Sequence, residues 1–340
     1  MASSLQTESA DRLATEQEIE RGDFSQQTPA AETSRLPFDS PQLPVDSSQL
    51  AVESSRLVVA TYNIRYGVGS HLIGGSLLRS LGLGWPGRRS RLVQSNILKA
   101  ARILSHGAHM PRADVIALQE ADRATVRAGG QHVARGLAEA LAMSYVRAHV
   151  PTPDDVEPKD RKWWLDFEER MLRGEDGDTG VAILSRLPLS DATRIELPWG
   201  ECPWRPRLAL AASVPFGKGK LHIFNSHIDT HANVEGQLEQ HRTVLALAER
   251  ASESGPAVLL GDFNTITHEA RLGARALLES RGYTTPLPTG TPTWRSGPLR
   301  YHFDWIFTRG VSVRRWGVAR VTGISDHWPV WIEIEPEKSD

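Results

Sequence analysis

The chain holds 340 residues with a formal net charge of −2, 40% of them hydrophobic and 24% charged, the balance of an ordinary globular protein. Near-neutral charge removes any whole-chain case for a nucleic-acid or anionic-membrane binder and leaves only a local basic patch. The one cysteine, Cys202, excludes an internal disulfide, and the polar, acidic start "MASSLQTESADRLATEQEIERGDF" has no apolar secretory core. No stretch reaches the roughly 18 apolar residues of a membrane span, so a cytoplasmic protein is expected.

Residues 1–56 are rich in Ser, Gln, Glu, Asp and Pro, and "FDSPQLPVDSSQLAVESSRL" nearly repeats itself. This composition buries too little apolar surface to offset ordering entropy, which predicts a disordered N-terminal arm. A short amphipathic helix around "ADRLATEQEIERG" is the one ordered option there. The ordered domain is expected over 57–336, opening with the strand "RLVVATYNIRYG". In "RLVQSNILKAARILS", Leu92, Ile97, Leu98, Ala101 and Leu104 recur near helical spacing. "ADVIALQEAD" reads as a buried strand and "VARGLAEALAM" as a second helix. "TGVAILSRLPL", "RLALAASVPF" and "KLHIFNSHID" are three strands punctuated by Gly and Pro. Then come a helix, "QLEQHRTVLALAERAS", the strand "AVLLGDFNT", the helix "ARLGARALLESRG", and two last strands, "YHFDWIFTRG" and "HWPVWIEIE". Helices alternating with strand pairs predict two packed sheets flanked by helices. The charged stretch from Pro151 to Asp178, with its paired Trp163 and Trp164, is expected as a long surface excursion carrying a short helix.

Polar residues gather at the strand ends. "VVATYN" ends in Asn63, "VIALQE" in Gln119 and Glu120, "LHIFNSH" in Asn225 and His227, and "AVLLGDFN" in Asp262 and Asn264. "HFDWIF" carries Asp304 in its middle, and "GISDHWPV" opens with Asp326 and His327. One such strand end is a cap; five or six point to a site where strand ends converge. Carboxylates and amides without thiolates suit a hard cation, Mg²⁺ or Mn²⁺, which facing a phosphate would neutralise charge and polarise the P–O bond. Paired Asp and His supply a means of activating water. Asp229 and His231 follow His227 at spacing two, an interval that strand alternation alone can produce. Gln240 and His241 fall on a helix and read as its surface.

In their order, "TYNIRYG", "DVIALQE", "TGVAILSR", "NSHID", "LLGDFNT", "FDWIF" and "ISDHWPV" resemble the endonuclease/exonuclease/phosphatase superfamily over residues 57 to 335. The resemblance implies an α/β fold, a four-layer sandwich of two packed mixed β-sheets flanked by helices. It implies Glu120 as a metal ligand, with Asn63 holding the metal or orienting its ligands and Asp326 on the metal side. Asp262 would orient or deprotonate the attacking water, Asn264 would bind a phosphate oxygen, and His227 would contact the phosphate. His327 would face the scissile phosphate, with Asp304 behind it fixing the tautomer and raising basicity.

The expected activity is divalent-metal-dependent hydrolysis of a phosphodiester or phosphomonoester by water attack at phosphorus, in a monomer. The substrate is nucleic acid, lipid or a small molecule. Abasic-site endonucleases carry an acidic residue two positions after the first-strand asparagine, whereas this chain has Arg65; "PTWRSGPLRYHFDW" also matches their aromatic stretch poorly. "LGWPGRRSR" and "RGVSVRRWG" are basic with interleaved Trp, as a nucleic-acid groove or an exposed loop would be. The alternative, an inactive binding module on the same scaffold, would be marked by loss of Glu120, Asp262 or His327, and all three are present. An α/β hydrolase would need a G-x-S-x-G elbow, which the sequence lacks.

Overall fold

The computed structural model describes residues 19–27, 29, 56–69, 87–105, 107–150, 177–198 and 207–337. Two sheets lie face to face. The seven-stranded sheet contains β1 (Ile19–Asp23), β2 (Leu57–Asn63), β3 (Val115–Gln119), β4 (Ser144–Val150), β5 (Thr179–Ser185), β13 (Val311–Val318) and β14 (Val330–Pro336), in the order β1-β4-β5-β3-β2-β14-β13. The five-stranded sheet contains β6 (Ser190–Glu196), β7 (Leu208–Phe216), β8 (Gly219–His227), β9 (Ala257–Asp262) and β12 (Asp304–Arg309), in the order β12-β9-β8-β7-β6. A separate hairpin joins β10 (Trp294–Ser296) to β11 (Leu299–Tyr301). The pairs β2–β3 and β8–β9 are parallel, and the other ladders of both sheets are antiparallel.

The apolar periodicities explain this stacking. Inward-facing Val59, Val115, Ile183, Leu210, Ile223, Leu260, Ile306 and Ile332 pack sheet against sheet. The other face of the large sheet, with Val58, Ala60, Ile116 and Leu118, is covered by α1 (Arg88–Ser105) and α2 (Val133–Leu141). α1 presents Val93, Ile97, Ala100, Ala101 and Leu104 along one stripe, the i, i+4, i+7, i+8, i+11 pattern of a helix face. α3 (Val234–Ser252) and α4 (His268–Glu279) cover the small sheet through Val244, Leu245, Ala248 and Leu278 against Phe224, Leu259 and Phe307. Both of these helices start on side-chain caps: Asn233 accepts from Gly236 N–H, and Thr267 from Ala270 N–H. The result is a four-layer α/β sandwich, as expected. Truncating a fully buried side chain such as Ile223 or Leu260 to Ala costs about 2–5 kcal/mol in such a core.

The structure departs from the sequence expectations at the margins. Within the first 56 residues, expected as an unstructured arm with at most a helix, Ile19–Asp23 pairs antiparallel with β4. Short as it is, it carries specific partners: Glu20 Oε1 lies 2.6 Å from His132 Nε2 and accepts from Tyr145 Oη at 2.6 Å. β4, β6 and β13 were not expected either. The arginines of β13 face carboxylates on β14, Arg314 with Glu335 at 3.5 Å and Arg315 with Glu333, so both are paired within their own sheet. Cys202 and most of the 151–178 stretch, with both its tryptophans, lie outside the described residues. Among the described residues no helix is long and apolar enough to cross a membrane.

Candidate active site

Alternation carries the site to one end of the inter-sheet core. Along each inward-facing column, apolar side chains give way to polar ones at the C-terminal end of the strand. The columns are Leu57, Val59, Thr61, Asn63 in β2; Val115, Ala117, Gln119 in β3; Leu221, Ile223, Asn225, His227 in β8; and Val258, Leu260, Asp262 in β9. β12 runs antiparallel to β9, so its polar residue comes first. Asp304 opens the strand rather than sitting in its middle, directly across from Asp262, which is itself register partner to His227. Asn63 and Gln119 are partners in the other sheet. Amides stitch the two rows together. Gln119 Nε2 donates to Asn225 Oδ1 at 2.7 Å, and Asn225 Nδ2 donates to the carbonyls of Leu118 and Ala182 at 2.8 and 2.9 Å. Asn225 is thus a fastener between sheets.

Local backbone geometry then aims the side chains. A Cβ on Gly261 (φ +143°) would lie 1.9 Å from the Ser226 carbonyl oxygen, so only glycine lets β8 and β9 approach here. Past Asp262, Asn264 takes a left-handed conformation (φ 49°), donates its N–H to Asp262 Oδ1 at 3.0 Å and its Nδ2 to Ile228 O at 2.9 Å. Glu120 is likewise left-handed (φ 54°), as are Arg65 and Tyr66 (φ 46° and 55°), a concentration of strain typical of functional sites. Behind Glu120, Arg127 pairs with buried Asp122 at 2.6 Å and lies 3.5 Å over the Tyr66 ring, fixing that turn. Ser325 donates to Asn63 O at 2.8 Å and accepts from His327 N–H at 3.1 Å, tying the loop before β14 to β2.

Two imidazoles converge on Asp262. His327 Nε2 is 3.7 Å from Asp262 Oδ2, and His227 Nε2 is 3.6 Å from the same oxygen and 3.9 Å from Glu120 Oε1. Asn63 Nδ2 donates to that oxygen at 2.9 Å. His327 Nδ1 meets both Asp304 oxygens, at 2.9 and 3.1 Å. Burial opposes charge on His327, but Asp304 and Asp262 outweigh it and raise its pKa to about 10. Burial pushes Asp262 up to about 7, helped by the Asp304 charge and opposed by His327 and the Asn63 hydrogen bond. The site therefore pairs an imidazolium with a carboxylate poised to take a proton near neutrality.

Asp262, Asp304 and His327 each offer one potential ligand atom, all within 4.8 Å of one another. Asp304 and His327 Nδ1 are committed to each other. The remaining oxygens belong to Asp262, to Asn63 (whose Oδ1 already accepts from Arg65 N–H at 3.0 Å) and to Glu120. The buried Glu120 carboxylate accepts no hydrogen bond among the described residues, and its ion-pair neighbour is His227. A carboxylate with no donor among the described residues offers hard oxygens that fit a divalent cation at that position. Asp326 is half-buried, 3.6 Å from Arg65 Nε, while Arg65 Nη1 donates to Gly69 O at 2.9 Å.

Several residues lie elsewhere than expected. Gln240 and His241 are buried rather than on the surface of α3: Gln240 accepts from Asp229 N–H and donates to Pro198 O, both at 2.9 Å, and His241 packs edge-on to Phe263. Desolvation lowers the His241 pKa to about 3. Asp229 accepts from His231 N–H at 2.9 Å and closes a turn. Three participants were missed. Thr293 Oγ1 accepts from the N–H groups of Phe303 and Asp304, Ser325 ties two loops, and Arg207 Nη1 lies 3.0 Å from His227 Nδ1. The β10–β11 hairpin adds an aromatic wall, with Tyr301 stacked on Phe303 at 5.3 Å and Phe303 6.0 Å from His327.

Two stacked sheets bearing a buried carboxylate–histidine centre at their joined strand ends define an α/β sandwich with its candidate active site at one end. A model of the endonuclease/exonuclease/phosphatase family matches residues 60–327, and the chain belongs to that family. No curated protein matches the sequence significantly. Solved structures share the fold at low identity. An endonuclease/exonuclease/phosphatase from Beutenbergia cavernae is 19% identical with a TM-score of 0.54, over 83% of this chain and 72% of the other. A mannosyl-6-phosphatase from Bacteroides thetaiotaomicron is 18% identical (TM-score 0.51, 82% and 99% covered). A humanized D. rerio TDP2 is also 18% identical (TM-score 0.51, 83% and 100% covered).

Proposed function

We propose that the protein is a divalent-metal-dependent phosphoesterase that hydrolyses a phosphodiester or phosphomonoester by water attack at phosphorus. The observation that carries this reading is the Asp304–His327–Asp262 arrangement, in which one imidazole is braced by a buried carboxylate and faces a second carboxylate of raised pKa. Asp262 accepts the proton of the attacking water. His327, held charged by Asp304, presents Nε2–H to a phosphoryl oxygen and stabilises the negative charge that develops there. Asn264 and His227 flank the same oxygens, and Asn63 keeps Asp262 oriented through its 2.9 Å hydrogen bond.

Glu120, with Asn63, would hold Mg²⁺ or Mn²⁺, which when bound supplies Lewis-acid polarisation of the phosphoryl oxygen. The guanidinium of Arg65 beside Asp326 places positive charge where a second cation would need an anionic ligand, which favours a single-cation site. A lipid, nucleic-acid or soluble phosphate substrate is compatible with this chemistry. The family neighbours, a sugar phosphatase and TDP2, support the phosphoester class.

The test is hydrolysis of bis(p-nitrophenyl) phosphate and p-nitrophenyl phosphate with Mg²⁺, Mn²⁺ or chelator, by wild type and His327→Ala in parallel. Cation-dependent turnover that falls on the order of 10² or more in His327→Ala is expected. Turnover unaffected by chelator or by the substitution would remove the reading.

A further inference from the structure

The two imidazoles facing Asp262 are held from behind by opposite chemistry. His327 Nδ1 meets a carboxylate, whereas His227 Nδ1 meets a guanidinium, Arg207 Nη1, at 3.0 Å. A guanidinium has donors and no acceptor. In this contact His227 Nδ1 must therefore accept, which leaves the ring proton on Nε2, the atom nearest Asp262 and Glu120. Arg207 enters from the first residue before β7, and His227 ends β8, so the β7–β8 pairing brings them together across twenty residues of sequence. Arg207 is only 8% exposed, and its Nε and Nη2 have no hydrogen-bond partner among the described residues. Among the described residues its hydrogen bond to His227 is the one that anchors this buried charge, an arrangement with a desolvation cost that packing alone does not require.

We propose that Arg207 is a positioning residue that locks His227 in its Nε2–H tautomer, so that this nitrogen acts as a hydrogen-bond donor to a phosphoryl oxygen. The role in catalysis rests on the phosphoesterase reading above; the tautomer lock does not. The centre then holds two imidazoles with distinct duties. His327 is braced by an acceptor behind it, and His227 by a donor behind it, so the two rings cannot exchange roles.

The experiment is ¹⁵N-resolved NMR of the imidazole nitrogens of His227 in the full chain with chelator, for wild type, Arg207→Gln and Arg207→Met. The Gln amide can still donate to Nδ1; the Met side chain cannot. Wild type is expected to show a single form with a bare Nδ1 and a protonated Nε2. Arg207→Gln should keep that signature, and Arg207→Met should lose it to forms carrying a proton on Nδ1. A proton on Nδ1 in wild type would overturn the proposal, as would an unchanged signature in a folded Arg207→Met. Should the Met variant fail to fold, the wild-type and Arg207→Gln spectra decide alone. Hydrolysis of bis(p-nitrophenyl) phosphate is read separately. A fall in kcat of roughly 10-fold in Arg207→Met, with KM little changed and recovery in Arg207→Gln, is expected from a misplaced donor. Wild type with the locked tautomer but without turnover of either bis(p-nitrophenyl) phosphate or p-nitrophenyl phosphate would dismiss the phosphoesterase reading while upholding the lock.

Discussion

Asp262 and Asp304 stand directly opposite each other on adjacent antiparallel strands, both buried, and His327 reaches both of them. Two buried carboxylates side by side would repel. The shared imidazolium is what makes the pair tolerable, and it gives each carboxylate a separate task.

Asp304→Asn removes the charge that does most to raise the His327 pKa. The imidazolium then loses its proton at lower pH. The alkaline limb of the pH–rate profile should move down by more than about one unit, with kcat reduced on the order of 10². A lowered rate with an unmoved limb would make Asp304 a purely orienting group.

His327 and Asp262 both make stability depend on pH in metal-free protein. His327 is raised to about 10 from 6.5, so its contribution is full below pH 6.5 and disappears as pH climbs through 10. Asp262 is raised to about 7 from 3.8, so the fold binds its proton more tightly than the unfolded chain does, and stability declines across that interval too. Thermal unfolding with chelator should therefore show a midpoint falling steadily from mildly acidic to alkaline pH. Added Mg²⁺ should raise the midpoint more at pH 8 than at pH 6, since protons no longer compete for Asp262. A cation effect that is equal at both values would count against Asp262 lying beside the ion.

Glu120→Gln keeps the shape of a side chain that accepts no hydrogen bond but removes its charge. Midpoint and secondary structure should stay within about 2 °C and unchanged, respectively, while the Mg²⁺ concentration for half-maximal rate rises roughly 10-fold or more. An unaltered cation requirement would dismiss Glu120 as a ligand.

How much of this was legible from the sequence follows from the physics of each residue. Asn63, Glu120, His227, Asp262, Asn264, Asp304 and His327 could be picked out because each ends or begins an apolar strand, and alternation makes that change visible locally. The structure gathers them at one end of the sandwich. Arg207 gave no such signal, since its meaning lies in a contact made only when β7 and β8 pair. β4 was hidden for a related reason. "SYVRAHV" looks too polar to be buried, yet Arg147 is fully enclosed because it pairs with Asp178 and donates to Ala121 O. β6 and β13 expose much of their surface and show little apolar periodicity. His241 was misread because a lone histidine on a helix resembles surface, whereas here desolvation keeps it neutral against Phe263.

Gly261→Ala should be among the most damaging single substitutions in the chain. The added methyl meets a backbone carbonyl at 1.9 Å, which cannot swing aside as a side-chain tip could. A loss of at least about 2 kcal/mol in denaturant unfolding, together with loss of activity, is expected. A fully stable variant would mean that β8 and β9 can separate without cost.

β1 provides a test of the N-terminal segment. Deleting residues 1–27 removes the partners that Glu20 offers His132 and Tyr145 and that Asp23 offers Ser144. It also opens the edge of β4. The thermal midpoint should fall by roughly 3–5 °C relative to a chain lacking residues 1–17. Identical midpoints for the two would show that the strand is carried without stabilising the sandwich.

The amide contact between Gln119 and Asn225 has a mechanical consequence. Asn63 and Glu120 come from one sheet and its turn; His227, Asp262 and Asp304 come from the other. The reacting groups are thus mounted on two plates, packed together by the apolar core and fastened at the site's end by side-chain amides. A phosphate and cation gripped by both plates would act as a rivet, and a substrate that spans them tightly would stiffen the whole sandwich along with its own binding site.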